Sequence, residues 1–179
     1  MITSFLNQFL GIAAILGQIF LAVGVVYFLL RKKSDDRIIN FFAEKAFLIS
    51  WLISLAAVAA SLFYSEIAGF PPCNLCWWQR IFMYPQVALL GMALIKKDFK
   101  IIDYSLALAL IGALFALYHN YIYYGGSSLF SCDASGLGVS CTRRYVWEFG
   151  YITIPLMSFT AFLLLIFFLA IRKYKNKLD

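Results

Sequence analysis

Charge is what this chain has least of. Asp, Glu, Lys and Arg make up only 13% of its 179 residues, while 63% are hydrophobic. A soluble domain carries about 25% charged and about 45–50% apolar residues. One core cannot hide so large an apolar excess, so a soluble globular class is excluded and lipid must solvate the remainder. Other absences narrow the class further. Polar or ionisable groups are almost missing from the middle of the apolar runs, which argues against a small transporter. No basic region precedes the first run: the chain opens "MITSFLNQFL", and its positive charges follow the run. That order is the reverse of a secretory signal, so the first run is expected to be a retained helix. Gln8 and Gln18 within it read as ordinary polar positions or as a packing face.

What is present is a set of five apolar runs: Phe5–Leu30, Ala46–Tyr64, Ile81–Ile95, Tyr104–Tyr124 and Tyr151–Ile171. Crossing ~30 Å of hydrocarbon at 1.5 Å per residue takes about 20 residues of helix. The third run is short and reaches that length only with Cys76–Arg80 in the interface. Helices satisfy their own backbone groups segment by segment in lipid, so five transmembrane helices are expected, with connections too short for a soluble domain.

Lysine and arginine orient the chain. Five basic residues (Arg31, Lys32, Lys33, Arg37, Lys45) follow the first run, three lie in "KKDFK" and four in "RKYKNKLD". All twelve fall on one side of a five-helix path, leaving Arg80, Arg143 and Arg144 opposite. The positive-inside rule therefore predicts an outer N-terminus and a cytoplasmic C-terminus. The net charge of +6 reads as this topology signal rather than as a nucleic-acid footprint, because the charges flank spans.

In that topology cysteine is absent from every cytoplasmic segment, and all four cysteines lie outside. Cys73 and Cys76 sit in "PPCNLCWWQR"; Cys132 and Cys141 sit in the next outer loop, "GGSSLFSCDASGLGVSC". Outside the cytoplasm disulfides persist, and four cysteines allow three pairings that spacing does not separate. One reading is structural: a bridge in each loop, or a staple between the loops. A zinc site of all four is disfavoured by the eight-residue spacer of the second pair, where zinc knuckles use about two to four.

The neighbours point to redox chemistry. A Cys-x-x-Cys closes so small a ring that it stabilises a fold little. Cys76 stands where a helix is about to begin, and free N–H groups there favour a thiolate. Arg80 lies four residues on, one helical turn away on the same face, and a fixed cation lowers a thiol pKa further. The arginine's alternative is to snorkel to lipid headgroups. Trp77, Trp78 and Tyr84 suit an interfacial aromatic belt or the wall of a pocket for a flat ring. His119, the only histidine, is read as an interfacial hydrogen-bonding side chain or a proton-transfer group. Glu66 reads as a solvated loop charge, and Arg143, Arg144 and Glu148 as partner-docking or simply hydrated groups.

"CNLCWWQR", then "ALYHNYIYY", then the second cysteine pair and "SCTRRYVWEFGYITIPLMSF", in this order, resemble the DsbB/BdbC family of disulfide bond formation proteins, closer to the compact BdbC type. The likeness covers about Ala46 to Ile171. It implies an all-α integral membrane bundle: a four-helix core, residues 34–179, preceded by an extra transmembrane helix, residues 1–33. The resemblance further implies a quinone-coupled thiol oxidase of the bacterial cytoplasmic membrane, with no metal. A soluble thioredoxin-like oxidase (DsbA or BdbD type) would supply electrons, and ubiquinone or menaquinone would accept them. Cys132 would form the mixed disulfide with that partner, and Cys141 would pass electrons inward through Cys73. Cys76 would make the thiolate–quinone contact, Arg80 would polarise the quinone, and His119 would hydrogen-bond a carbonyl or move a proton. The serines and glycines of the outer loop suit exchange, because an attacked sulfur must be reached in line. The rivals are a non-enzymatic membrane protein stapled by disulfides and a vitamin K epoxide reductase-like oxidoreductase. In the latter the loop pair precedes the Cys-x-x-Cys, whereas here it follows.

Overall fold

A computed structural model describes residues 2–30, 37–127 and 140–178. Five helices account for most of them: α1 (Ile2–Leu30), α2 (Arg37–Leu62), α3 (Asn74–Lys96), α4 (Ile102–Tyr123) and α5 (Ile154–Leu178). A π-helical turn, Phe63–Ile67, extends α2, and a 3-10 turn, Phe99–Ile101, leads into α4. Among the described residues the one β feature is an isolated bridge between Glu148 and Ile152. The bundle is all-α, as the resemblance implied. The expected boundary between an extra helix and a core falls in residues 31–36, outside the described ones, as does Cys132.

Four helical stretches are long and apolar enough to cross a membrane: Thr3–Leu30, Arg37–Ile67, Phe99–Tyr123 and Ile154–Lys177. The fifth expected span corresponds to α3. Its 23 residues have the length, about 35 Å, but Gln79, Arg80 and Gln86 dilute its apolarity. Large side chains such as Phe5, Leu30, Ile95 and Leu114 point outward, each more than three-fifths exposed. A surface that apolar is stable against lipid and not against water.

The core lies where α2, α3, α4 and α5 meet, around Phe47, Leu90, Ala109, Phe162, Leu165 and Leu169. Buried amides and hydroxyls add cross-links, because a polar group in an apolar interior needs a partner. The Gln86 amide, for example, donates to the Ser105 carbonyl at 2.8 Å and joins α3 to α4. Pro155, in the first turn of α5, sits where its missing N–H costs nothing, whereas Pro85 lies inside α3.

The backbone of α1 approaches that of α5 alone among the helices. Glycines permit this: a Cβ on Gly17 would stand 3.1 Å from Leu164, and one on Gly24 would stand 2.7 Å from Phe167. Towards α2 the contacts are made by long side chains instead. Tyr64 Oη donates to Asn7 Oδ1 at 2.9 Å, and Phe20 meets Phe42 edge-on.

Candidate functional site

α3 begins with a cap made by a sulfur. Pro71 and Pro72 hold the approach extended, and Cys73 occupies the N-cap position with φ −74° and ψ 172°. Its Sγ accepts from the Cys76 backbone N–H at 3.3 Å, the role a serine oxygen fills at other helix starts. The Cys76 sulfur, one turn on, stands 2.7 Å from that of Cys73. Both are free thiols.

His119 reaches this pair from α4. Its Nε2 lies 3.7 Å from Cys73 Sγ and 3.2 Å from the Cys141 carbonyl oxygen. Its Nδ1 is 2.9 Å from Gln79 Nε2. Gln79 Nε2 also donates to the Leu75 carbonyl at 3.2 Å, which identifies it as the amide nitrogen, since a carbonyl only accepts. Nδ1 of His119 therefore accepts, which leaves Nε2 as the ring nitrogen that carries a proton. That proton faces Cys73 Sγ and the Cys141 carbonyl. His119 thus offers the sulfur a hydrogen-bond donor.

These contacts set the titration of Cys73, which lies in the loop ahead of α3. Its thiol is lowered to about 5, chiefly by the hydrogen bond from the Cys76 thiol; burial opposes this, and His119 and the Cys76 amide add to the lowering. The expected thiolate was placed on Cys76, on the assumption that the helix starts after it. The helix starts at Asn74, so the sulfur that receives the amide is that of Cys73. Replacing Gln79 with leucine should raise the Cys73 pKa, because Nδ1 loses its donor and the Nε2–H orientation is no longer imposed. An ultraviolet thiolate titration of the reduced protein reads this directly; a midpoint unchanged from about 5 would remove Gln79 from the account.

Cys141 is buried beside Cys73, Leu75 and Ile122 and is disulfide-bonded. The structure thus brings Cys73, Cys76, His119 and Cys141 together. Arg80 joins them on the wall of one cavity of about 360 Å³. Its hydrogen bonds run to α2: Nε donates to Ser61 Oγ and Nη2 to the Ser61 carbonyl, both at 2.9 Å. The guanidinium also lies over the Trp77 ring, 5.2 Å from its centroid. This two-pronged grip fixes a cation at the cavity and leaves Nη1 uncommitted by those bonds.

The aromatic residues divide. Tyr84 lines the cavity; Trp77 and Trp78 are exposed on the outer face, where Trp78 stacks on Phe115. A stack of Tyr64, Phe70 and Tyr145 ties the loop before α3 to the loop before α5. The hydroxyls of Tyr84 and Tyr145 are buried without a hydrogen-bond partner among the described residues, and both residues line the cavity. Glu66 accepts from Ser65 Oγ. Arg143 lies over Tyr145 and Arg144 over Trp147.

The sulfurs of Cys73 and Cys76 and a ring nitrogen of His119 lie within 4.8 Å of one another, a donor set of the type soft divalent ions accept. In the tautomer imposed by Gln79, however, the nitrogen facing Cys73 carries a proton and has no lone pair to give. The arrangement is that of a thiol pair with a hydrogen-bond donor. Gln79, Ser61 and Tyr145 were not expected from sequence; Gln79 alone left a trace, as an amide at the head of an apolar helix.

Residues 43–171 match the family model described as "Disulfide bond formation protein DsbB". A curated relative from Bacillus anthracis, "Probable disulfide formation protein C 1", is 44% identical over 120 residues, covering 67% of this chain and 86% of the relative. "Disulfide bond formation protein C" from Bacillus subtilis is 42% identical over 127 residues, covering 69% and 89%. A further relative, from Halalkalibacterium halodurans, is 43% identical over 122 residues. No solved structure gives a significant match.

Proposed function

Because the chain belongs to the DsbB family of disulfide bond formation proteins, and so to membrane oxidoreductases of disulfide formation, we propose that it reoxidises an extracytoplasmic thioredoxin-like thiol oxidase at the expense of a membrane quinone. The observation that carries this reading is the single cavity shared by a free thiol pair, a fixed arginine and uncommitted hydroxyls. Two carbonyl oxygens need donors, and Arg80, Tyr84 and Tyr145 supply unspent ones on the wall of the cavity that the sulfurs also line. The remaining lining is largely apolar, as a flat lipid-soluble ring requires.

The residues divide the work in sequence. The partner's thiolate attacks the disulfide that holds Cys141, with Cys132 taking the mixed disulfide, and the partner leaves oxidised. The reduced outer pair then attacks an oxidised Cys73–Cys76 bond; Cys141 bonds to Cys73, its neighbour in the buried cluster, and Cys76 is released as a thiolate. When the outer disulfide reforms, Cys73 and Cys76 hold the two electrons. Cys73, low in pKa and hydrogen-bonded by His119, is ready to close again on Cys76. A quinone held beside the pair would accept the two electrons and two protons that Cys73 and Cys76 release as this disulfide closes. Arg80, anchored on Ser61, stabilises negative charge at the sulfur–ring contact without reorganising.

The reading also carries an orientation: outer N-terminus, cytoplasmic C-terminus, α3 crossing the bacterial cytoplasmic membrane, and α1 standing before a four-helix core. A thiol reagent confined to the cytoplasmic side should label none of the four cysteines; strong labelling there would invert the topology. For the reaction itself, purified protein is mixed with a reduced thioredoxin-like oxidase and quinone. One quinol should form per partner disulfide. Partner oxidation without quinol would refute the acceptor.

A further inference from the structure

α1 lies ahead of the family match, which begins at residue 43, yet it lines the same cavity as the thiol pair through Leu10, Ala13 and Ala14. These positions are spaced i, i+3, i+4 and share one helix face. The same cavity is lined by Ala56, Ala57 and Ala60 of α2 and Ala161 of α5. The redox pair, Arg80 and His119 line this same space together with the alanines.

The helix is held so that this space stays open. Polar latches bracket the wall: Asn7 accepts from Tyr64, and Gln18 donates to Thr160 and accepts from Tyr151. The ten residues between the latches, eleven helical steps from Asn7 to Gln18, span about 16 Å of helix. Between them the backbone of α1 leans on α5 alone, and the side chains turned to α2 are small. A seam between two helices packed at full density would contain larger residues; here the cavity wall on α1 and α2 is made largely of alanines.

We infer that α1 forms the wall of a tail channel: the quinone ring sits at Cys76 and Arg80, and its isoprenoid tail runs between α1, α2 and α5 along Ala13, Ala14, Ala57 and Ala161. This rests on the quinone reading above and adds to it a role for the helix that precedes the family core. A narrow apolar slot beside a polar pocket suits a flat polar head with an aliphatic tail. It makes α1 a determinant of tail-bearing acceptors over short, tailless ones.

The test uses the full-length protein in detergent and a quinone analogue carrying a photoreactive diazirine in its first isoprene units. Irradiation followed by peptide mapping should place label on the α1 segment around Leu10–Ala14 and on α2 around Ala57, and excess unlabelled long-tail quinone should remove it. Ala13→Trp and Ala14→Trp should each lower this labelling and weaken binding of the long-tail quinone about tenfold, roughly 1.4 kcal/mol. Both should leave reduction of a tailless quinone near the wild-type rate. Leu10→Ala, which removes volume, serves as the variant least prone to misfold and should retain labelling. Competed label on α2 and α5 with none on α1 would overturn the channel and leave the acceptor reading standing. Label on α1 that quinone does not compete would mean that a lipid chain fills the slot, which also overturns it. No competed label anywhere, together with no quinol in the reconstituted reaction, would overturn the acceptor reading itself.

Discussion

Cys76→Ser is expected to lower quinone reduction by about a thousandfold or more while leaving the protein folded. The two-electron step needs both sulfurs, because Cys73 discharges its electrons only by bonding to Cys76. Loss of one member of a unit that acts together removes most of what the unit does. The change should be structurally mild. Oxygen replaces sulfur at nearly the same volume, and the Cys-x-x-Cys ring is too small to contribute much through loop entropy. Cys73→Ser should lose activity to the same extent for the same reason. Its α3 start should survive, since serine is itself a favoured N-cap and can take over the bond from the Cys76 amide. Quinol formation is followed spectroscopically, with thermal unfolding in detergent as the control for folding. Turnover near wild type in either variant would exclude the thiol pair from the electron path.

The second large effect is at Arg80. Arg80→Gln should slow the quinone step by about 100- to 1000-fold, the range seen when a preorganised charge-stabilising donor is lost. Exchange between the outer cysteines and the partner should stay close to wild type, which trapping of the mixed disulfide measures separately. Arg80→Lys should fall between the two. Lysine keeps the charge but cannot hold Ser61 through two nitrogens, so its ammonium would not be fixed at the cavity. If Arg80→Gln impaired partner exchange and quinone reduction equally, the arginine would be acting as an α2–α3 tie and not at the acceptor.

Much of this arrangement could be read from sequence because its causes are local. Uncharged runs between basic clusters identify spans, and α1, α2, α4 and α5 satisfy the same length and apolarity in three dimensions. Cys73, Cys76 and Arg80 fall within two helical turns, so any helix starting near Cys73 brings them to one end of the bundle. What local pattern could not supply was the exact start of α3. Three residues' difference in that boundary moves the capping position, and with it the lowered thiol, from Cys76 to Cys73.

The remainder depends on how helices pack. Gln79 and His119 are 40 positions apart, and Ser61 and Arg80 are 19 apart; neither separation carries a motif. His119 was noticed through resemblance, while the amide that sets its tautomer was not. The alanines of α1, α2 and α5 look like ordinary membrane-helix residues until three helices are set side by side. Only then does their smallness become a space.

The central claim is that electrons held by Cys73 and Cys76 pass to a quinone bound beside them. It is tested most directly in a single anaerobic turnover. Fully reduced protein is mixed with excess quinone and no partner, then quenched with acid and alkylated, and quinol and disulfides are counted on the same sample. The account predicts quinol formation in step with disulfide closure, one quinol for each disulfide formed at the two cysteine pairs and the first at Cys73–Cys76, and none in Cys76→Ser. A Cys73–Cys76 pair that remains reduced in the presence of quinone would contradict it.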